Sequence, residues 1–175
     1  MPISDAMQKA FNEQIQKEFA SAYLYLSMSA YFESLSLDGF AQWMKIQAQE
    51  EVLHGMKLFD HLQERGGRVL LGEVGQPQAD FDSPLAAFEV AASHEAMVTQ
   101  SIHDLFALAE GERDYASQGI LQWFSTEQVE EEDTANRIVE RLRMIEDNKA
   151  ALFMLDNELS ARAMVGAGGA DGGGE

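Results

Sequence analysis

The chain of 175 residues contains no cysteine, which excludes a disulfide framework, a thiolate zinc site, an iron-sulfur cluster and a cysteine nucleophile. Any bound metal must be held by oxygen and imidazole. Basic residues are scarce as well: 12 Lys and Arg face 30 Asp and Glu, for a formal charge of -18. That surface repels a phosphate backbone, so no nucleic-acid partner is expected. Nowhere are there about 18 consecutive apolar residues, and no unbroken apolar stretch follows a basic start near Met1. The expectation is a soluble, cytoplasmic chain with no membrane partner. Proline occurs only 3 times, at Pro2, Pro77 and Pro84, and leaves two long segments free of the strongest helix breaker.

Those segments are rich in Ala, Glu, Gln, Leu and Met, the residues that favour helix, and the 46% hydrophobic content suits one compact domain. The pattern predicts an all-α chain. A first helix starts at the cap residues Ser4 or Asp5 and runs to about residue 33. A second covers about 38–65 and stops at Gly66-Gly67, which can supply a left-handed C-cap. Ser83-Pro84 opens a third that reaches about 110, a fourth spans 114–146, and a short fifth covers 149–163. Residues 164–175 are mostly Gly with acidic residues and are expected to form a flexible tail outside a 1–163 domain.

The connection over 68–82 lacks helical pattern. At about 3.3 Å per extended residue it reaches roughly 50 Å, whereas a helix of about 27 residues is only about 40 Å long. It can travel the length of a bundle and start the third helix beside the beginning of the second. The topology expected is a four-helix bundle running up-down-down-up with one long crossover, plus the short fifth helix.

Residues seven apart share a helical face. Four such lines appear: Phe11, Glu18, Tyr25 and Phe32; Met44, Glu51 and Leu58; Phe88, Glu95 and Ile102; Phe124, Glu131 and Ile138. Each long helix thus carries one Glu near its middle on the face that should be buried. One acid on such a stripe is ordinarily a solvated boundary residue, but four at matching levels are not a coincidence of that kind. Buried without partners, they would cost several kcal/mol each, on the order of the whole stability of a domain. Lys and Arg are absent from the middle of the stripes, while two divalent cations would cancel four carboxylates. Glu51-x-x-His54 adds a nitrogen ligand one turn from an oxygen ligand. Oxygen-rich ligands with one imidazole favour iron or manganese. His61, His94 and His103 have no such setting and are expected at surface or boundary positions. Met28, Met44, Met97 and Met144 are expected to fill the core.

The run Asn12-Glu13-Gln14 with Glu18 and Tyr25, the segment Gln49-Glu50-Glu51-Val52-Leu53-His54, Glu95, and Gln122-Trp123 followed by Glu127-Gln128-Val129-Glu130-Glu131-Glu132 resemble the bacterial non-haem ferritins over about residues 4–162. The resemblance implies a ferritin-like di-iron domain in which Glu18, Glu51 and His54 hold one iron and Glu51 bridges to a second, completed by Glu95 and Glu131. It places Gln128 in the outer shell of the second iron, and a third iron on Glu50, Glu127, Glu130 and the shared Glu131. Tyr25 matches a tyrosine that can supply an electron. The implied activity is oxidation of Fe(II) by dioxygen or hydrogen peroxide, with storage of ferric mineral inside a homo-oligomeric shell of about 24 subunits.

Departures narrow the subfamily. Bacterioferritins carry a second Glu-x-x-His on the fourth helix and a haem-ligating Met after the bridging Glu; Glu130 and Val52 stand at those positions, so no haem is expected. Rubrerythrins need cysteines, and the miniature ferritins of starved bacteria lack the fifth helix that Leu152, Leu155 and Leu159 equip with an apolar face. The carboxylates lining threefold pores in animal ferritins correspond to Gln118 and Leu121, which leaves the route of iron entry open. Two alternatives share the bundle: a non-catalytic shell subunit that nucleates mineral, and a manganese or manganese-iron oxidase.

Overall fold

The computed structural model describes residues 3–162. Five helices follow in order: α1 (Asp5–Ser34), α2 (Asp38–Glu64), α3 (Pro84–Gly111), α4 (Tyr115–Ile145) and α5 (Lys149–Leu159). Among the described residues there is no strand, and no helix is long and apolar enough to cross a membrane. The tail expected over 164–175 lies outside the described residues.

The starts obey local chemistry. Ser4 accepts a hydrogen bond from the Met7 amide, Ser83 from Ala86, Asp114 from Ser117 and Asn148 from Ala150 and Ala151, each satisfying donors that a helix leaves free in its first turn. At α2 the preceding residue, Leu37, makes no such bond. Asp156 of α5 takes the role instead, its Oδ1 accepting from the Phe40 amide at 3.0 Å. Gly39 allows this approach, because a Cβ there would lie 1.7 Å from the Asp156 carbonyl oxygen. At the other end of α2, Gly66 adopts φ 74° and the Gly67 amide bonds back to the Leu62 carbonyl.

After α2 the crossover runs back along α1. The Arg68 amide donates to Gln8, Leu70 to Asn12, Gln16 donates to the Glu73 carbonyl, Ser27 to that of Gln78, and Phe81 packs on Tyr31 at the far end. The long connection is therefore a strap held by polar side chains of α1, and α3 begins level with the start of α2. The up-down-down-up order follows.

Two apolar clusters fill the bundle. One gathers Phe32, Phe40, Trp43, Met44, Phe88, Ile138 and Leu142 with Leu155 and Leu159 of α5; the other gathers Phe11, Ile15, Leu58, Leu62, Ile102, Leu121 and Phe124. Met28 and Met44 belong to the first, as expected. Met97 and Met144 do not fill the core: they are 63% and 76% exposed. Each follows a buried residue, Glu95 or Leu142, by two positions, which turns it about 200° around the helix to the outside. The fifth helix also ends before residue 163, at Leu159, where a turn carries Arg162 back to α2.

Candidate metal centre

Between the two apolar clusters lies a polar layer. Glu18, Glu51, His54, Glu95 and Gln128 are buried there, and the Glu131 side chain is only 12% exposed. The seven-residue stripes account for this placement, since the neighbours of each Glu on its stripe, such as Phe11, Leu58, Phe88 and Ile138, are themselves core. Two groups of ligand atoms each fall within 4.8 Å of one another: Glu18, Glu51 and His54; and Glu51, Glu95 and Glu131. Glu51 belongs to both.

Neutral donors hold the carboxylates. Gln14 Nε2 donates to Glu18 Oε1 at 2.8 Å, and Ser101 of α3 fixes that amide by donating to its oxygen at 2.8 Å. One turn before Glu51, Gln47 donates to Glu51 at 3.1 Å and to Glu131 at 3.2 Å. Gln128 donates to Glu95 Oε2 at 3.1 Å, and the Tyr25 hydroxyl donates to Glu95 Oε1. His54 lies 3.7 Å from Glu51 and 3.9 Å from Glu131, its ring held edge-on by Trp123 and Phe124. Glu18 Oε2 and Glu131 Oε2 are buried and find no neutral or cationic hydrogen-bond donor among the described residues.

That arrangement strains the charge balance. Burial, reinforced by Glu95 and Glu18, holds the Glu51 carboxyl well above the usual carboxylate range. Burial and then the Glu51 charge do the same to Glu131, and burial raises Glu18 against the opposing pull of Gln14 and His54. Tyr25 is likewise pushed up by burial and by Glu95, so it stays a neutral phenol able to donate. Orphaned carboxylate oxygens converging with an imidazole in a dry layer fit hard divalent cations such as iron or manganese.

The remaining predicted acids are arranged differently. Glu50 and Glu127 are half-buried and Glu130 is exposed; with Glu131 they form no ligand group of this kind among the described residues. Glu50 is instead bound by Arg162, whose Nη2 donates to Oε2 at 2.5 Å, and burial raises its carboxyl while Arg162 opposes the rise. The helical stripes did not reveal Arg162, Gln47 or the Ser101–Gln14 link. Gln14 and Gln47 had a legible signal, an amide four residues before each of Glu18 and Glu51; Arg162 had none.

The other histidines stand where expected. His61 meets Ser117, His94 meets Ser21 at 2.7 Å, and both are half-buried, with burial lowering their affinity for a proton; His103 is exposed. Leu121 is fully buried, and Gln118 bonds the Ala109 carbonyl at 3.3 Å, so neither offers a carboxylate to a pore.

Comparison with known proteins bears out the fold. Residues 8–145 match the model of the ferritin-like domain. The chain is 37% identical over 161 residues to a bacterial non-heme ferritin of Staphylococcus epidermidis, covering 92% of this chain and 97% of the relative. It is 41% identical over 160 residues to one of Bacteroides fragilis, covering 91% and 99%. A solved open-pore ferritin from the hyperthermophilic archaeon Archaeoglobus fulgidus superposes with a TM-score of 0.91 at 53% identity, covering 92% of this chain and 98% of that one. Matched by the family model over residues 8–145 and by relatives 37–41% identical over nearly their whole length, the chain belongs to the ferritin family.

Proposed function

We propose that the chain is an iron-storage protein with ferroxidase activity, taking up Fe(II), oxidising it within each subunit and storing the ferric product as mineral inside a hollow homo-oligomeric shell of about 24 subunits in the cytoplasm. The observation that supports this best is the sharing of buried Glu51 by two metal-competent groups while two neighbouring carboxylate oxygens find no neutral or cationic hydrogen-bond donor among the described residues.

In this reading Glu18 and His54 hold the first ferrous ion, Glu95 and Glu131 the second, and Glu51 bridges them. Two ferrous ions so held can give one electron each to dioxygen or hydrogen peroxide. The protein contributes position and charge. Gln14 and Gln47 aim the carboxylates, and the apolar clusters on both sides exclude bulk water. Gln128 and Tyr25 orient Glu95, and by its likeness to the ferritin tyrosine Tyr25 would supply a further electron to the oxidant. Glu50, Glu127, Glu130 and Glu131 would receive a third iron on its way to the mineral. The excess of acid, 30 residues against 12 basic ones, would concentrate cations at the shell surfaces.

Stopped-flow mixing of Fe(II) with the assembled apoprotein tests the proposal. A fast oxidation phase saturating near two or three irons per subunit, abolished in Glu51→Ala with the fold intact, is expected. Slow, mineral-dependent uptake alone would assign the chain to the non-catalytic shell subunits. Manganese in protein purified from its native host would point to a manganese or manganese-iron oxidase.

A further inference from the structure

A cation at the edge of the polar layer, Arg162, comes from outside the four long helices. Arg162 stands three residues beyond the end of α5, and 119 positions from Trp43, yet its guanidinium lies 4.5 Å above the Trp43 ring. From there Nη2 reaches Glu50 Oε2 at 2.5 Å, and Nη1 reaches Gln47 Oε1 at 3.0 Å and the Trp43 carbonyl at 3.5 Å. The Arg162 and Glu50 side chains are 22% and 15% exposed, so the pair is partly shielded from water. Charge-assisted bonds in such a setting are roughly twice as strong as neutral ones.

Two consequences follow. Glu50, one of the acids assigned above to a third iron, has an oxygen already taken by a fixed cation. Gln47, with its oxygen held by Arg162, must turn its amide nitrogen toward Glu51 and Glu131, where it donates to both. A guanidinium and a metal ion compete for Glu50, because the two positive charges repel at close range and the bond to Oε2 already draws on the carboxylate's charge.

We propose that Arg162 is the resident counter-cation of Glu50, and that a metal ion occupies the third position only by displacing it. This rests on the third-iron reading above. Arg162 then acts as a positioning residue with two effects. It weakens the third position relative to the paired one, which suits a place that ions pass through. It also links that position to the pair, since a departing guanidinium releases the Gln47 amide from its orientation toward Glu51 and Glu131.

The test is Zn(II), which does not change oxidation state, titrated calorimetrically into the assembled apoprotein and located by anomalous diffraction in soaked crystals. In Arg162→Gln the third ion should bind roughly tenfold or more tighter than in wild type, the strength of one charge-assisted bond, with affinity at the pair retained. The gain should vanish in the Arg162→Gln, Glu50→Gln double variant. A merely structural arginine predicts the reverse, because loosening the end of α5 would weaken binding. Equal third-ion affinity in wild type and Arg162→Gln, lost in Glu50→Gln, overturns the role of Arg162 and leaves the third position standing. No third ion in any variant overturns both. If Arg162→Gln fails to assemble, Arg162→Lys decides: it keeps the charge but loses the two-pronged contact, so an intermediate affinity is expected and a wild-type affinity overturns the proposal.

Discussion

The apolar ends of the bundle and its polar middle are built from the same four helices on opposite principles. At the end that includes α5, Phe32, Phe40, Trp43 and Phe88 meet with ring centroids 5.1 to 5.8 Å apart, a packing that stabilises the fold by itself. In the middle, Glu18, Glu51, Glu95 and Glu131 converge with only amides, a phenol and one imidazole between them. The ends hold the fold, and the middle stores unfavourable electrostatic energy that only protons or cations relieve. The apoprotein is therefore a scaffold whose stability lies in its ends, and cations bound as proposed would relieve its least stable layer.

The largest effect should come from the ends. Phe88→Ala removes the ring that touches Phe32, Phe40 and Trp43, and should lower stability by about 3–5 kcal/mol, read from denaturant unfolding of the apoprotein. Metal stoichiometry of the folded fraction should stay unchanged, because the ring lies outside the polar layer.

The middle should respond with the opposite sign. Glu51→Gln keeps the shape and removes a buried charge, so the apoprotein should gain about 1–3 kcal/mol while losing tight metal binding. The pH dependence sharpens this contrast. Glu18, Glu51 and Glu131 bind protons more readily folded than unfolded, above the ordinary carboxylate value of 4.5. Their contribution to apoprotein stability is thus fully present below that value and is lost as pH rises through their raised values. Unfolding midpoints of the apoprotein should fall over that range. Bound divalent metal should flatten the fall, and in Glu51→Gln it should be shallower.

The smallest effect tests whether an end can be changed without disturbing the layer. Ser83→Ala removes the side-chain acceptor for the Ala86 amide at the start of α3 and should lower stability by about 1 kcal/mol, with metal affinity unaltered.

This contrast also explains what was legible in the sequence. Helix starts at Ser4, Ser83 and Asp114, the stop at Gly66, and the inward Glu on each long helix follow local rules, since a period near seven and a capping residue act within a few positions. Glu18, Glu51, His54, Glu95 and Glu131 meet because their stripes meet. Met97 and Met144 were misplaced because methionine is compatible with either side of a helix, and the decisive fact was the angle from Glu95 and Leu142. Arg162 was invisible for a different reason. It lies on no stripe, and only the docking of α5, through Leu155, Leu159 and the Asp156 cap on α2, brings it 112 positions back to Glu50. The acids at Glu50, Glu127 and Glu130 form an obvious run of charge, yet the spacing says nothing of one being engaged by an arginine and another pointing to solvent.

The most direct measurement is titration of ferrous iron under argon into the assembled apoprotein. Relief of the carboxylate layer by paired cations predicts two tightly bound ions per subunit, with apoprotein stability rising as they bind and both effects lost in Glu51→Gln. Absence of tight binding, or wild-type binding by Glu51→Gln, would contradict it.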